Sequence, residues 1–197
     1  MTPRQGGWSL IDALVALTVV GLLASWSAPL AARVVADAKT AAAAREFAML
    51  FHAMRWRSVS ENRNVGLFFE RVGGAWQWWE VDDGNGNGLR TAEIRSGADL
   101  KRSGPHRVET THRGVRLGFP TGNPVPNIPP RRGTLSGPDP VRFGRSDVVS
   151  FSPRGRSSSG TLFLTDGRRR LYGVLLYGAS ARVRVWRWDD REMQWRR

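Results

Sequence analysis

The first pattern along the chain is a long apolar stretch near its beginning. Residues 8–32 carry one charged side chain, that of Asp12, and Arg33 ends the stretch. About 20 consecutive apolar residues allow a helix to cross the hydrocarbon core of a bilayer. The stretch therefore predicts a transmembrane helix over residues 8–32.

The pattern changes at Arg33 but still favours a helix. Residues 33–60 are rich in Ala, Arg, Glu, Met and Leu, all of which have high helix propensity. Apolar side chains recur there at steps of three and four residues, which gives an amphipathic helix with one apolar face. We therefore expect one helix of about 50 residues, with a transmembrane half and an amphipathic half. The residues of the apolar face are Ala44, Phe47, Ala48, Phe51 and Met54.

Short apolar runs separated by Gly, Asn, Asp and Pro follow residue 60, and this pattern is typical of strands and turns. Residues 99–145 hold most of the prolines and are expected to form long loops or an extended arm. The pattern predicts an α+β fold in which the long helix packs on antiparallel β-sheet, with one β-rich domain over residues 61–197. The expected strands are residues 65–70, 75–81, 115–119, 148–152, 160–165, 172–177 and 181–188.

Charge and cysteine content narrow the classes of function. The formal net charge is +13, and an excess of this size attracts polyanions such as nucleic acid, anionic lipid or acidic proteins. An arginine-rich solvated surface without a specific partner is the other explanation. The chain has no cysteine, which excludes disulfides, thiolate catalysis and cysteine-ligated metal sites.

The residues around the start of the apolar stretch form the most specific motif. A short, polar and basic segment, residues 1–7, ends in Gly7, and Trp8, Ser9 and Asp12 follow. A carboxylate inside an otherwise apolar membrane helix is costly and by default marks function. The arrangement resembles the N-terminal signal of type IV prepilins and type II secretion pseudopilins, with Asp12 where the family has Glu and Trp8 where it has Phe.

The resemblance implies roles for individual residues. Residues 1–7 would be a leader peptide that a prepilin peptidase removes after Gly7, and the new amino group of Trp8 would be methylated. Asp12 would pair with the N-terminal amine of a neighbouring subunit in a filament, since each buried charge needs a partner in a low-dielectric core. Pro29 lies where many pilins have a helix-kinking proline.

Two other interpretations of the apolar stretch remain open. A secretory signal peptide would have a shorter apolar region and a cleavage site at its far end, near Ala28 or Ala32. A plain membrane anchor would not be processed at Gly7. Either alternative leaves an exported β-rich domain that does not assemble into a filament.

Segments of the β-rich domain narrow the resemblance to the GspH/FimT family of minor pseudopilins. The resemblance implies a type IV pilin-like fold and a structural subunit of a periplasmic pseudopilus or type IV pilus that takes part in type II protein secretion. It also implies a single-pass protein of the bacterial inner membrane, with its C-terminal domain in the periplasm, where it meets other pilin subunits and secreted proteins. The segments that carry the resemblance are residues 48–67, 151–155, 160–164 and 181–184.

A further resemblance concerns DNA. GspH/FimT-type relatives that take up DNA carry a Gly-Arg-x-Arg motif near the C-terminus. Residues 167–170 match this motif letter for letter, whereas residues 181–184 lie closer to the expected place but lack the Gly. A DNA-binding minor pilin for DNA uptake is therefore the alternative function, and a solvated basic face is the simpler explanation. The candidate DNA-binding residues are Arg168, Arg169, Arg170, Arg182 and Arg184.

The remaining motifs are weaker. Asp83, Asn85 and Asn87 match the first half of an EF-hand calcium loop, but Ile94 stands where a Glu is required. A long hairpin turn is the other explanation for these residues. The sequence has three histidines, no cysteine, no nucleophile elbow and no phosphate-binding glycine loop, so we expect no enzyme activity, cofactor or metal.

Overall fold

The computed structural model describes residues 9–122, 124–135 and 137–197, except the side chains of residues 26–33. The chain divides into two compact units, one that ends at Ala36 and one that spans Asp37–Arg197. Helix α1 (Leu10–Ser60) contributes to both units. Its length of 51 residues agrees with the long helix predicted from the sequence.

Local side-chain chemistry explains where α1 begins and ends. At its start, the hydroxyl of Ser9 accepts the backbone N–H of Ile11 (3.3 Å), and the carboxylate of Asp12 accepts the backbone N–H of Ser9 (3.2 Å). Such a pair satisfies donors that have no partner within the helix. After Ser60, Asn62 adopts a left-handed conformation with a φ of 50°, which prevents the helix from continuing.

The first unit is where the sequence predicts a membrane helix. Among the described residues, no helix carries a run that is both long and apolar enough to cross a membrane. The transmembrane helix over residues 8–32 therefore stays a prediction.

The second unit contains two antiparallel sheets. Its strands are β1 (Val65–Val72), β2 (Ala75–Asp82), β3 (Leu100–His106), β4 (Arg116–Leu117), β5 (Val141–Arg142), β6 (Val148–Phe151), β7 (Gly160–Thr165), β8 (Leu171–Tyr177), β9 (Arg182–Asp189) and β10 (Gln194–Arg196). The first sheet has the order β3-β2-β1-β6, and the second has the order β10-β9-β8-β7-β4, with β5 also paired to β7. The short helices α2 (Thr91–Ser96) and α3 (Val108–Thr111) precede and follow β3.

The main core lies between α1 and both sheets. Ala44, Phe47, Phe51 and Met54, which belong to the apolar face predicted for the amphipathic half, are buried there. They share this core with alternate residues of the strands, because successive side chains of a strand point to opposite faces. The strand residues are Leu67 and Phe69 of β1, Val149 and Phe151 of β6, Leu162 and Leu164 of β7, and Val174 and Leu176 of β8.

Residues 124–135, which we call the proline-rich segment, cover the other face of the second sheet. Tryptophans of β9 and β10 form a second apolar cluster with residues of this segment. The indole N–H of Trp195 also donates to the carbonyl of Pro126 (2.9 Å). The segment is therefore a packed part of the domain. The cluster consists of Val125, Ile128, Phe163, Leu171, Trp186, Trp188 and Trp195.

The expectation of long loops or an arm in residues 99–145 is wrong where β3, the short helix α3 and the two-residue strand β5 form, and β3 is the longest of these. β3 pairs with β2 at the edge of the first sheet. Its side chains are mostly polar and largely exposed, so it lacks the apolar alternation that marks a strand in a sequence. Conversely, the strand expected at residues 115–119 shortens to β4. The α+β class with antiparallel sheets and an N-terminal helix is confirmed, and the type IV pilin-like fold remains a proposal.

Candidate functional site

The N-terminal motif lies at the edge of what the structure describes. Gly7 and Trp8 fall outside the described residues, so their predicted cleavage and methylation stay predictions. Asp12 is exposed, and its carboxylate accepts one local hydrogen bond, from the backbone N–H of Ser9. Pro29 lies within α1, but its side chain is outside the described set, so the predicted kink is also untested.

The apolar side chains of residues 10–25, like those of Val34 and Val35, are exposed to solvent. Leu10, Leu17 and Leu23 expose 79 %, 69 % and 66 % of their surfaces. Polar groups in this part are instead satisfied within the helix: Thr18 donates its hydroxyl to the carbonyl of Val15 (2.8 Å), and Ser25 donates to that of Leu22 (2.8 Å). An exposed apolar surface of this kind marks an interaction with lipid or with another protein.

The motif at residues 167–170 forms the turn between β7 and β8. One carboxylate oxygen of Asp166 accepts the backbone N–H groups of Arg168, Arg169 and Arg170, each at 2.9 Å. Gly167 has a φ of +75°, which a residue with a Cβ rarely adopts. The glycine of the motif therefore has a structural role in this turn, and the turn leaves the side chains of Arg168 and Arg169 exposed.

Arg182 and Arg184 lie at the opposite end of the hairpin formed by β8 and β9. Arg182 pairs with Tyr177, the last residue of β8, and the guanidinium of Arg184 lies 5.8 Å from the centre of the Tyr177 ring. β8 separates this end from Arg170, which immediately precedes it. At about 3.3 Å per residue, the two arginine clusters are roughly 20 Å apart. The structure therefore makes them two separate surfaces.

Asp37 is a charged centre that the sequence did not reveal. It accepts a hydrogen bond from the hydroxyl of Tyr172 (3.0 Å) and lies 3.4 Å from the guanidinium of Arg187 and 3.7 Å from that of Arg170. Burial raises the pKa of Tyr172 to about 12, and the negative charge of Asp37 contributes in the same direction. These contacts tie the start of the second unit to β8 and β9.

A cleft of about 470 Å³ lies next to Asp37, and we call it the arginine cleft. Ala41 and Arg45 of α1 form one side, and residues of β8, β9 and β10, together with Arg197 directly after β10, form the rest. The sequence could not indicate this cleft, because its arginines come from elements far apart in the chain. They are Arg45, Arg187, Arg196 and Arg197.

A second cavity of about 350 Å³ lies between α1 and the segment that contains β3 and α3. His106 stacks on Trp78 with ring centres 4.3 Å apart, and Nε2 of His112 lies 2.6 Å from the carboxylate of Glu46. Both histidines therefore have structural partners. The cavity combines aromatic walls with polar groups, and the hydroxyl of Ser103 lies 2.8 Å from Nε2 of His106.

The candidate calcium residues form a hydrogen-bonded turn. The carboxylate of Asp83 accepts the N–H groups of Gly86 and Gly88 and the side-chain amide of Asn64, each at 2.7 Å. Burial raises the pKa of Asp83, but these hydrogen bonds outweigh it and leave the pKa below its ordinary value. The side-chain amides of Asn85 and Asn87 donate to Glu93. Because protein donors surround the Asp83 oxygens, the geometry favours a structural turn over a calcium-binding loop.

Comparison of the chain with protein-family models, with curated proteins and with solved structures finds no match. The family resemblance therefore depends on the sequence motifs alone.

Proposed function

We propose that this chain is a minor pseudopilin of the GspH/FimT type. It is a structural subunit of a periplasmic pseudopilus or type IV pilus and takes part in type II protein secretion. A prepilin peptidase removes residues 1–7 after Gly7, and the amino group of Trp8 is methylated. Residues 8–32 anchor the chain in the bacterial inner membrane, and the β-rich domain lies in the periplasm.

The contrast within α1 is the observation that carries this proposal. The described apolar side chains of its first part are exposed, whereas Phe47 and Phe51 of its second part are buried against two sheets. A helix that exposes apolar side chains needs an apolar environment from outside its own chain. A bilayer before assembly and neighbouring helices after assembly both supply it.

Asp12 fits the role of a register group in such an assembly. Its carboxylate is exposed in the single chain, and one hydrogen bond to Ser9 does not exhaust its acceptor capacity. Once helices pack around it, the charge needs a cationic partner. The N-terminal amine of a neighbouring mature subunit is such a partner, so Asp12 fixes the position of one subunit against the next.

The proposed processing is tested by determining the mature N-terminus. The chain is expressed in cells with and without a prepilin peptidase, and its N-terminal peptide is identified by mass spectrometry. We expect N-methylated Trp8 only in cells with the peptidase. Gly7→Val should block processing, because a branched side chain replaces the glycine at the cleavage site, whereas Gly6→Ala is the matched control and should be processed. A chain that begins at Met1, or beyond Ala28, contradicts the proposal.

The second candidate function is DNA binding by a minor pilin. The observation that favours it is the turn at residues 167–170, where Arg168 and Arg169 are exposed and have no carboxylate partner among the described residues. Binding of single-stranded DNA to the detergent-solubilised chain should then weaken with salt, with a slope that falls by about 0.7 for each phosphate contact removed. Arg168→Ala with Arg169→Ala should reduce this slope, and Arg131→Ala with Arg132→Ala should not.

A further inference from the structure

The two arginines of the Gly-Arg-x-Arg motif have different surroundings in the turn between β7 and β8. Arg168 is exposed, whereas the guanidinium of Arg170 lies 3.7 Å from the carboxylate of Asp37. Asp37 pairs with Arg187 as well, so it partly compensates both cations. Arg170 is therefore directed towards Asp37 and is less available to an external anion than Arg168.

A third arginine, Arg116, lies beside the glycine of the motif. A Cβ at Gly167 would lie 2.9 Å from a terminal nitrogen of Arg116 and 3.0 Å from the central carbon of its guanidinium group. Both distances are shorter than ordinary van der Waals contact, so the guanidinium occupies space that a larger residue would need. Gly167 therefore closes the turn with its φ of +75° and, because it has no Cβ, also leaves room for Arg116.

Strand pairing brings Arg116 to the turn. Arg116 is the first residue of β4 and is opposite Thr165, the last residue of β7. In the segment that follows β4, the hydroxyl of Thr121 donates to the carbonyl of Gly167 (3.2 Å). Because Arg116 is far from the motif in the chain, no local pattern of the sequence could indicate that it lies there.

The turn therefore presents three exposed arginines, Arg116, Arg168 and Arg169, which we call the turn surface. None of the three has a carboxylate partner among the described residues. The turn itself contains one carboxylate, that of Asp166, and one of its oxygens already accepts three backbone N–H groups. The α-carbons of Arg168 and Arg169 lie within about 8 Å of that of Gly167, on which Arg116 packs.

The chemistry of the turn surface suits phosphate groups. Guanidinium groups present planar sets of N–H donors that match phosphate oxygens, and such charge-assisted hydrogen bonds are strong. Packing against Gly167 limits the conformations of Arg116, so less entropy is lost when it binds an anion. All of these residues belong to the second unit, so the turn surface forms within one compact part of the chain.

We propose that Arg116 contacts the phosphates of single-stranded DNA together with Arg168 and Arg169. Arg170 instead positions the turn through its contact with Asp37. This inference rests on the second candidate function, DNA binding by a minor pilin. It differs from the sequence motif in one residue, because the motif assigns a DNA contact to Arg170 and the geometry assigns it to Arg116.

The test measures binding of fluorescent oligothymidine to the detergent-solubilised full chain over a range of salt concentrations. Removal of one phosphate contact should lower the slope of log affinity against log salt by about 0.7. We expect this loss for Arg116→Ala and no loss for Arg131→Ala, the matched control in the proline-rich segment. Arg116→Lys keeps the charge and should keep the slope, which a purely structural role would not predict. Oligoadenine should give the same losses, because phosphate contacts carry no sequence information.

Arg170→Ala distinguishes the geometry from the motif. It should leave the salt slope higher than Arg116→Ala does, and denaturant unfolding in the same detergent identifies any variant that is not folded. A loss for Arg170→Ala as large as that for Arg116→Ala, in folded variants, would overturn the inference. Equal losses for Arg116→Ala and Arg131→Ala would also overturn it, because general charge would then explain binding.

Two outcomes separate this inference from the function on which it rests. If the unaltered chain does not bind oligothymidine in a salt-dependent manner, the second candidate function and this inference both fail. If binding requires Arg168 and Arg169 but is the same with and without Arg116→Ala, the second candidate function stands and this inference alone fails.

Discussion

The two parts of helix α1 have the same backbone conformation and opposite surroundings. In the first part, Leu17 and its apolar neighbours are exposed, and polar side chains such as Thr18 bond to their own helix. In the second part, Ala44 and Phe51 are completely buried in the core of the second unit. The helical backbone is therefore the same where the apolar side chains are exposed and where they are buried.

This contrast separates what forms a helix from what stabilises it. Helix propensity and backbone hydrogen bonds act locally and are similar along the whole of α1. Burial of apolar surface needs partners, which the second part has within the chain and the first part lacks among the described residues. The first part must therefore obtain its apolar contacts from lipid or from other subunits, and substitutions in the two parts should have different consequences.

The largest expected effect is on the buried side of this comparison. Phe51 packs edge-on against Phe143 with ring centres 6.0 Å apart and also contacts Phe47 and Phe151. Phe51→Ala removes these contacts and leaves a cavity, so we expect the free energy of unfolding to fall by about 3 to 5 kcal/mol. Denaturant unfolding of the full chain in detergent micelles, followed by tryptophan fluorescence, measures this change.

Leu17→Ala is the matched substitution in the exposed part. Leu17 is exposed in the single chain, so Leu17→Ala should change the free energy of unfolding by no more than about 0.5 kcal/mol in the same experiment. Its effect should instead be seen in membrane insertion or in filament assembly. Equal losses of stability for the two variants would show that the first part packs within the chain, and the contrast drawn here would be wrong.

A smaller effect is expected from the ion pairs at the end of α1. Asp82 is completely buried and pairs with Arg57 of α1, with Arg102 at 2.5 Å and with Arg63 at 3.7 Å. Asp82→Asn keeps the shape but removes the charge, so each of these charge-assisted contacts weakens. We expect a loss of about 2 to 4 kcal/mol in the same unfolding experiment.

Asp12→Asn is the control for this prediction. Its carboxylate has one local hydrogen bond and is exposed, so removal of the charge should leave the unfolding of the second unit unchanged. A destabilisation of the second unit by Asp12→Asn, or none by Asp82→Asn, would contradict this assignment. Asp12 lies in the exposed part of α1, whereas Asp82 of β2 pairs with Arg57 in the packed part. The two substitutions therefore compare the two parts of the helix through loss of charge instead of loss of packing.

The elements that the sequence predicted are those whose signals are local. The long helix follows from continuous helix propensity and from the spacing of Phe47, Phe51 and Met54, and the strand at residues 160–165 follows from a compact apolar run between glycine and aspartate. β3 was missed because an exposed edge strand needs no apolar alternation. Its pairing with β2 supplies the backbone hydrogen bonds that favour the extended conformation.

The candidate sites also divide into those with a local sequence signal and those without one. The turn at residues 167–170 was visible in the sequence because one short segment contains its glycine and arginines. The arginine cleft was not, because Arg45 joins Arg187 and Arg196 only after α1 packs on the second sheet. The separation of Arg182 from Arg170 likewise depends on strand register, which fixes which residues of β8 and β9 are opposite one another.

Apart from the two substitutions in the exposed part, the smallest expected effect on stability concerns the boundary between the two parts of α1. The Tyr172–Asp37 hydrogen bond lies where the packed part begins, and burial together with the Asp37 charge raises the pKa of Tyr172 to about 12. An unfolded tyrosine has a pKa near 10. Because the folded state holds this proton more tightly, its contribution of about 2 to 3 kcal/mol is present below pH 10 and is lost between pH 10 and 12.

The ionisation can be observed directly, because the chain has two tyrosines and Tyr177→Phe leaves Tyr172 alone. Absorbance of tyrosinate, followed as pH rises in detergent micelles, should give a midpoint about two units above that of the chain unfolded in guanidinium. Adding Asp37→Asn should lower the midpoint only in part, since the carboxylate is lost but burial remains. A midpoint near 10 in the folded chain would mean that the phenol is not buried beside Asp37, and the packed part of α1 would then begin later than Asp37.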